Sequence, residues 1–361
     1  MQIIKGKISI RQALIFMFVA ICFPLLRVLP NYSAEFCEQA SWLVPIISLI
    51  FLIPYIYILN TIFKKYPDKN WNEIFDIVFG KVIGKIISII FLLWSGILLG
   101  LYLRYFAERF LGTIMRDTLM EFLLIIILIL AYFFAKNNIE KIGRMVEIFF
   151  GVIVILIVVT SIIVLPQVKI TNLLPVTYYD ILPVLKCSVY YLSLMSYISW
   201  IFFFSNEISH KETFKKNGIK FILLETVIGI LILISTIGSL GINITQNFQI
   251  PFFIVAKNIS ILESIERIEA IYISIWTITD LAIIVLLLKV ISNILKNMFK
   301  LKTTKATLLP IVFIGYVFSM YIARNSFELN DFSKLAGIIN VCTYFTIPII
   351  TFLIGKIRKL V

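Results

Sequence analysis

The sequence predicts an all-α membrane protein of about ten transmembrane helices, and three observations support this fold class. First, 60% of its 361 residues are hydrophobic and only 15% are charged, whereas soluble domains are about half apolar and a quarter charged. Second, the apolar residues form blocks of about 20, the length that a helix needs to cross a bilayer. Third, the basic residues gather in alternate connections between these blocks.

Ten apolar blocks are candidates for membrane spans. A backbone inside the bilayer must satisfy its own hydrogen bonds, so we interpret each block as a helix. The predicted spans cover residues 11–30, 42–62, 82–104, 119–136, 144–165, 184–205, 219–241, 268–289, 306–324 and 335–355.

The positions of the basic residues predict the orientation. Lys and Arg number 33 against 20 acidic residues, and most of them fall in connections that share one side if ten spans are drawn. The positive-inside rule places that side, and both termini, in the cytoplasm. These basic segments are 5–11, 64–85, 136–144, 211–220, 289–305 and 356–359. The net charge of +13 therefore reflects membrane topology, and we expect no nucleic-acid partner.

The connections are too short to fold as separate domains. We predict a single polytopic membrane domain over residues 1–361, with the first span retained in the mature protein. The longest polar connection, 242–267, precedes the acidic residue Glu269 and contains Glu263 and Glu266. It is expected to form either a solvated cap or a surface helix on the outer face.

Signatures of catalysis are missing from the sequence. The single histidine, His210, lies in a basic loop beside Lys211, which argues against a histidine-based metal site or triad. No Walker-type glycine loop occurs, and the four cysteines form no CxxC pair. We expect no catalytic residue, no metal, no cofactor and no enzymatic activity.

Polar and helix-breaking residues in the first span suggest a binding site. Pro24 predicts a break near Cys22 to Leu25, because proline removes a backbone donor and clashes with the preceding turn. The freed backbone groups could hold a ligand, as in transporters, or the proline could produce only a kink. Arg27 could attract a substrate carboxylate, or it could pair with Glu35 or Glu108 or extend to the interface.

Other candidates lie on the sixth, seventh and eighth spans. The sixth carries Ser193, Ser196 and Ser199 at a spacing of three residues, and their hydroxyls could bind a ligand or join helices. Asp280 in the eighth span is the most deeply placed carboxylate, followed by Glu225 in the seventh. Either could carry protons in a transport cycle or form a buried ion pair.

Several motifs resemble the spore-germination permease family, the B subunits of GerA-type nutrient receptors, within the amino acid–polyamine–organocation superfamily. The resemblance covers nearly the whole chain. It includes the run Lys-Ile-Ser-Ile-Arg-Gln at 7–12, Gln-Ala-Ser-Trp-Leu at 39–43, and Tyr-Pro-Asp-Lys at 66–69. It also includes Gly-Arg-Met-Val-Glu at 143–147, and Glu-Arg-Ile-Glu-Ala at 266–270 after Pro-Phe-Phe at 251–253.

The resemblance implies a LeuT-like fold of two inverted five-helix repeats, at about 8–166 and 181–356. It also implies a pocket between spans 1, 3, 6 and 8 for a small germinant such as an amino acid. Where the family often has Gly-x-Gly at the first-span break, this chain has Phe-Pro-Leu. The pocket positions carried over, together with Arg27, are Phe23, Pro24, Leu25, Tyr102, Met195, Ser196, Thr277 and Asp280.

The leading hypothesis is a permease-like sensor in the inner spore or cytoplasmic membrane that signals to partner subunits. The resemblance implies a membrane A subunit and a C-type lipoprotein as partners, with the lipid bilayer around them. The alternatives are a secondary amino-acid transporter coupled to protons through Asp280 or Glu225, and a structural scaffold with a vestigial pocket.

Overall fold

The structure, a computed structural model, describes residues 6–248, 250–258 and 268–361. The acidic residues Glu263 and Glu266 of the outer connection lie outside the described residues, as does the side chain of Glu269. The α-helices are α1 (Ile10–Cys37), α2 (Val44–Lys65), α3 (Trp71–Phe79), α4 (Lys81–Thr113), α5 (Met120–Lys136), α6 (Ile139–Val164), α7 (Ile181–Met195), α8 (Phe214–Leu240), α9 (Ile242–Asn247), α10 (Pro251–Lys257), α11 (Ile268–Met298), α12 (Lys305–Tyr321), α13 (Ser326–Asn340) and α14 (Ile347–Ile357).

Shorter elements interrupt or link these helices. A 3-10 helix, Ser196–Glu207, continues α7, and a π-helix, Val341–Thr346, joins α13 to α14. The other 3-10 segments are Glu38–Leu43, Leu165–Gln167, Ile170–Asn172, Tyr178–Asp180 and Lys211–Thr213. Two short strands, β1 (Ile8–Ser9) and β2 (Ile208–Ser209), pair in parallel.

The predicted all-α membrane fold is confirmed. Within the residues that the structure describes, eight segments are long and apolar enough to cross a bilayer. The apolar helices α5 and α12, each 17 residues long, are close to the minimum for a span and coincide with the predicted fourth and ninth spans. We therefore number the spans 1 to 10 as α1, α2, α4, α5, α6, α7 with its 3-10 extension, α8, α11, α12, and α13 to α14.

Local sequence explains where the first helix begins. Ser9 caps α1 by accepting a hydrogen bond from the backbone of Gln12, whose side chain in turn accepts from the Ser9 backbone N–H. This capping box fixes the start of the helix. From there α1 runs through the middle of the bundle, where it contacts α6, α7, α8 and α11.

The predicted break in the first span is wrong. The segment with Phe23, Pro24 and Leu25 lies inside a continuous α-helix. A proline removes one hydrogen bond from the helix ladder, whereas unwinding would expose several backbone groups to an apolar interior. No glycine occurs between residues 10 and 37, and Phe23 and Leu25 are buried among neighbouring helices. Packing therefore holds the helix together across Pro24.

The helical ladder changes instead in spans 6 and 10. Span 6 turns from α-helix to 3-10 helix at Ser196, and Phe204 has non-helical dihedral angles. Ser193 donates to the carbonyl of Tyr190, and Ser196 donates to the carbonyl of Ser193. Such bonds to the carbonyl three residues earlier compete with the α-helical pattern, which accounts for the tighter winding that follows.

Candidate functional site

A small cavity lies where spans 1, 3, 6 and 10 meet. Its volume is about 40 Å³, room for a few water molecules. Span 1 contributes Phe23, Pro24 and Arg27, and span 3 contributes Leu98, Leu101, Tyr102 and Tyr105. Span 6 contributes Tyr190, Ser193, Leu194 and Tyr197, and span 10 contributes Ser333, Ala336, Gly337 and Asn340. We call this space the central cavity.

A hydrogen-bonded chain of side chains forms one wall of the central cavity. The Asn340 amide donates to the Tyr197 hydroxyl at 2.8 Å, and that hydroxyl bonds to Tyr102 at 3.1 Å. The Trp94 indole N–H donates to the Asn340 carbonyl oxygen at 2.8 Å. The chain therefore links spans 3, 6 and 10. Because buried polar groups need partners, it also fixes the orientation of the Asn340 amide.

Gly337 allows spans 6 and 10 to approach closely at this wall. A Cβ atom at position 337 would lie 2.9 Å from Cδ1 of the Tyr190 ring. Any larger residue would push this tyrosine, which lines the central cavity, out of place. The π-helix begins four residues later, at Val341, and such insertions occur frequently at functional sites.

Arg27 separates the central cavity from a larger space. The guanidinium carbon lies 3.5 Å from the centre of the Tyr105 ring. A second cavity of about 480 Å³, which we call the outer vestibule, lies on the other side of Arg27. Its lining residues are Arg27, Asn31, Tyr32, Gln246, Asn247, Phe248, Ser326, Phe327 and Asn330.

The Arg27 side chain has unused hydrogen-bonding capacity. Within the part of the chain that the structure describes, neither NH1 of Arg27 nor the Tyr105 hydroxyl has a hydrogen-bond partner. The predicted pairing of Arg27 with Glu35 or Glu108 is wrong. Glu35 binds Lys334 at 2.8 Å, and Glu108 binds Arg104 at 2.8 Å. Both carboxylates therefore have other cations closer to them, and Arg27 is left beside an aromatic ring.

Asp280 forms a buried ion pair with Arg109. Both side chains are almost fully enclosed, with 3% and 4% of their surface exposed. The Arg109 guanidinium carbon also lies 3.8 Å from the centre of the Phe23 ring and 5.5 Å from that of Trp276. Phe23 thus lines the central cavity on one side and covers the ion pair on the other. This structural pairing was one of the two alternatives for Asp280.

Glu225 has a different environment from Asp280. Its side chain is fully buried in span 7, and both carboxyl oxygens lack hydrogen-bond partners among the described residues. The Cys22 thiol and the Tyr191 hydroxyl are close enough to interact with it electrostatically. Whereas Asp280 is paired with Arg109, no ion pair joins Glu225 to a cation within the described ranges.

The structure brings some of the predicted pocket residues together. Phe23, Pro24, Arg27 and Tyr102 line the central cavity. The other five lie outside it: Leu25, Met195, Ser196, Thr277 and Asp280. Leu25, Met195 and Ser196 are fully buried next to lining residues, and Thr277 donates to the carbonyl of Ile273 within its own helix. The fourth helix that lines the cavity is span 10, where the sequence predicted span 8.

Sequence reasoning missed three residues at or beside the central cavity. Asn340 and Gly337 belong to span 10, for which no pocket role was predicted. Arg109 lies beyond the predicted end of the third span, at residue 104. A signal for Arg109 existed, because Arg104 and Glu108 stand four residues apart and can stabilise a further helical turn. No comparable local signal marks Asn340.

The fold and this site define an α-helical integral membrane protein built like a permease, with a small polar cavity at its centre. A comparison with known protein families matches residues 7–328 to the family described as "Spore germination protein". The chain belongs to this family, which is a family of germination permeases and not of enzymes.

Two curated relatives from Bacillus subtilis (strain 168) support the assignment. The chain is similar to "Putative spore germination protein YfkT", with 26% identity over 338 residues, or 92% of this chain and 91% of the relative. It is also similar to "Spore germination protein KB", with 23% identity over 274 residues, or 74% and 72% of the two chains.

Proposed function

We propose that the chain is a permease-like sensor subunit of a germinant receptor, and that it binds a small carboxylate such as an amino acid at Arg27. One observation carries the proposal. A guanidinium group stands between a vestibule large enough for a ligand and a central cavity lined by tyrosine and asparagine. One of its nitrogens has no hydrogen-bond partner among the described residues. Guanidinium groups bind carboxylates through two parallel charge-assisted hydrogen bonds.

The two cavities suggest the order of events. The outer vestibule, at about 480 Å³, falls in the size range of small-molecule sites. The central cavity, at about 40 Å³, has room for only a few water molecules. A germinant would therefore meet Arg27 from the vestibule first. Binding would draw the guanidinium away from Tyr105, and the ligand would favour a conformation with an enlarged central cavity.

The signal then depends on the difference in affinity between the two conformations, since a ligand cannot shift an equilibrium by more than that difference. Spans 6 and 10 are the elements we expect to move, because their ladders already change type beside the cavity. We infer that partner subunits, a membrane A subunit and a C-type lipoprotein, read out this movement. We also propose that the chain forms two inverted five-helix repeats, that it lies in the inner spore membrane, and that both of its termini are cytoplasmic.

The test is a binding experiment on the purified chain in lipid nanodiscs. Thermal shift and calorimetry would screen the L-amino acids and their α-amides, which lack the carboxylate. We expect binding of one or more acids, with at least a tenfold loss in Arg27→Gln and a smaller loss in Arg27→Lys. Arg324→Gln, which removes an exposed arginine near the vestibule, is the matched control. Equal binding of acids and amides, or full binding by Arg27→Gln, would refute the proposal.

Glu225 supports a second candidate function, a proton-coupled amino-acid transporter. The test is uptake of labelled amino acid into proteoliposomes under a pH gradient. Glu225→Gln keeps the size of the side chain but cannot exchange a proton, so it should abolish gradient-driven uptake while binding persists. Glu121→Gln, at an exposed position at the start of α5, is the control. Asp280→Asn is a poor probe, because it leaves Arg109 buried without its partner.

The outcomes separate the three hypotheses. Binding without uptake, sensitive to Arg27→Gln, supports the sensor. Uptake that Glu225→Gln abolishes supports the transporter. If both variants assemble and spores that carry them germinate normally, the scaffold hypothesis is favoured over both.

A further inference from the structure

A second groove lies at the opposite end of span 1 from Arg27. It has a volume of about 530 Å³ and is bounded by α1, α6 and α8. Arg11, at the start of α1, and Lys216 and Lys220, in the first turns of α8, form its rim. Arg11 and Arg27 are 16 residues apart, or about 24 Å along a helix, so this groove and the outer vestibule lie at opposite membrane surfaces.

The rim of the groove carries excess positive charge. No acidic residue is among the groove's lining residues. Arg11 has a distant partner, Glu147 at 4.0 Å, and 67% of the Arg11 side chain is exposed. Within the described ranges, no ion pair joins Lys216 or Lys220 to a carboxylate. The rim is therefore suited to an anion.

The floor of the groove is apolar. It is formed by Phe18 from α1, Phe150 from α6 and Leu224 from α8. Phe18 lies seven residues beyond Arg11, and Leu224 lies eight residues beyond Lys216, which places the floor about 10–12 Å below the rim. A ligand that fills the groove must combine an anionic head with an apolar body.

One flank of the groove, on α8, is apolar. Leu223 and Val227 are exposed and adjoin Leu224, which forms part of the floor. A groove with an apolar flank at a membrane surface is open to lipid molecules. Basic pockets between membrane helices at the positively charged face are known to bind anionic lipid head groups.

We propose that this groove binds one anionic phospholipid. The phosphate contacts Arg11, Lys216 and Lys220, and the upper part of an acyl chain packs on Phe18, Phe150 and Leu224. The lipid would then lie between α1 and α8 at the end of span 1 that does not carry Arg27, and it would support that end of the helix. This inference goes beyond the proposed function and does not depend on a germinant.

The experiment is native mass spectrometry of the purified chain in mixed micelles, with phosphatidylglycerol and phosphatidylcholine of matched acyl chains. We expect the wild type to retain one phosphatidylglycerol selectively. Each basic residue near a membrane surface contributes about fivefold to the affinity, so Arg11→Gln with Lys216→Gln and Lys220→Gln should reduce selective retention by roughly 100-fold. The triple variant Lys300→Gln, Lys302→Gln and Lys305→Gln removes the same charge from exposed positions between α11 and the first residue of α12 and should retain the lipid.

A second variant tests the apolar floor. Leu224→Trp keeps every charge but fills the groove, so it should also lose the bound lipid. The proposal is overturned if the rim variant loses no more lipid than the control variant, or if Leu224→Trp binds lipid as the wild type does. It is also overturned if the wild type retains phosphatidylcholine equally well, or if inorganic phosphate displaces the lipid at equal concentration.

Discussion

Replacing Asp280 with asparagine removes one charge from an ion pair that solvent hardly reaches. Its partner Arg109 lies over the ring of Phe23 and near that of Trp276 and, among the described residues, forms its ion pair with Asp280. The substitution therefore leaves a guanidinium group in an apolar space, with only aromatic faces to stabilise its charge. The opposite substitution, Arg109→Gln, leaves a buried carboxylate, whose negative charge the face of an aromatic ring does not stabilise.

The size of the effect follows from this difference. Breaking a buried ion pair by removing one partner costs about 3–5 kcal/mol. A desolvated cation over an aromatic ring recovers about 2 kcal/mol, so Asp280→Asn should cost roughly 1–3 kcal/mol. Arg109→Gln should cost the full ~3–5 kcal/mol, because an aromatic face does not stabilise the carboxylate that remains. The double variant should lie within about 2 kcal/mol of the wild type, since it leaves no unpaired charge.

The measurement is a double-mutant cycle on the free energy of unfolding in nanodiscs. A coupling energy of several kcal/mol is expected, together with a greater loss for Arg109→Gln than for Asp280→Asn. Glu35→Gln and Lys334→Gln form the matched cycle on a partly exposed pair, for which a coupling below about 1 kcal/mol is expected. Additive single effects at Arg109 and Asp280, or the reverse order of the two losses, would refute the reasoning.

Three further predictions concern other parts of the molecule. Asn340→Leu should lower the free energy of unfolding by about 1–3 kcal/mol, because Trp94 and Tyr197 each lose a hydrogen bond to this side chain. Chemical denaturation measures this loss, and the near-ultraviolet circular dichroism should change with it. An unchanged spectrum would contradict the prediction. Gly84→Ala should cost about 1–3 kcal/mol, since its Cβ would lie 2.6 Å from the backbone nitrogen of Asp76, and an unaltered midpoint of unfolding would count against this packing. The Lys211 ammonium donates a hydrogen bond to Asp68 and lowers the pKa of this carboxyl below its usual value. The contact therefore stabilises the fold above about pH 4, and this stabilisation is lost as the pH falls through the lowered pKa. Carbon-13 titration of labelled aspartate should show this pKa rising in Lys211→Gln, and an identical titration curve would exclude the contact.

The helices could be predicted from sequence because the bilayer leaves few alternatives. An apolar block of about 20 residues must satisfy its backbone internally, so block length alone was enough to place the long apolar helices. Ends were harder to predict. The third span continues through Arg109 to Thr113, beyond its predicted end at residue 104, and it is buried against other helices as far as Arg109. Hydropathy measures contact with lipid and gives no information about burial against other helices.

The site could be predicted only in part, for a related reason. Arg27 and Tyr102 were identified because they are unusual within their own spans or match a family position. Asn340 is an ordinary polar residue in its local sequence, and it becomes part of the site only because Tyr197 and Trp94 lie opposite it. These contacts join residues more than 140 positions apart. A single sequence contains no record of such pairings.

A proline leaves the helix of span 1 continuous, whereas serines change the winding of span 6. Pro24 removes one donor from a helix whose neighbouring residues are large and buried on every side, and packing restores the continuity of α1. Ser193 and Ser196 of span 6 add competing donors, each to a carbonyl three residues earlier, and the winding changes at Ser196 without a proline at that point. Span 6 is also tied beyond this point, since the Trp71 indole donates to the carbonyl of Ser199 at 2.8 Å. The free-energy cost of a rearrangement at the central cavity is therefore lowest in spans 6 and 10, where one hydrogen bond can replace a similar one. It is highest in α1, where large apolar contacts would have to be lost.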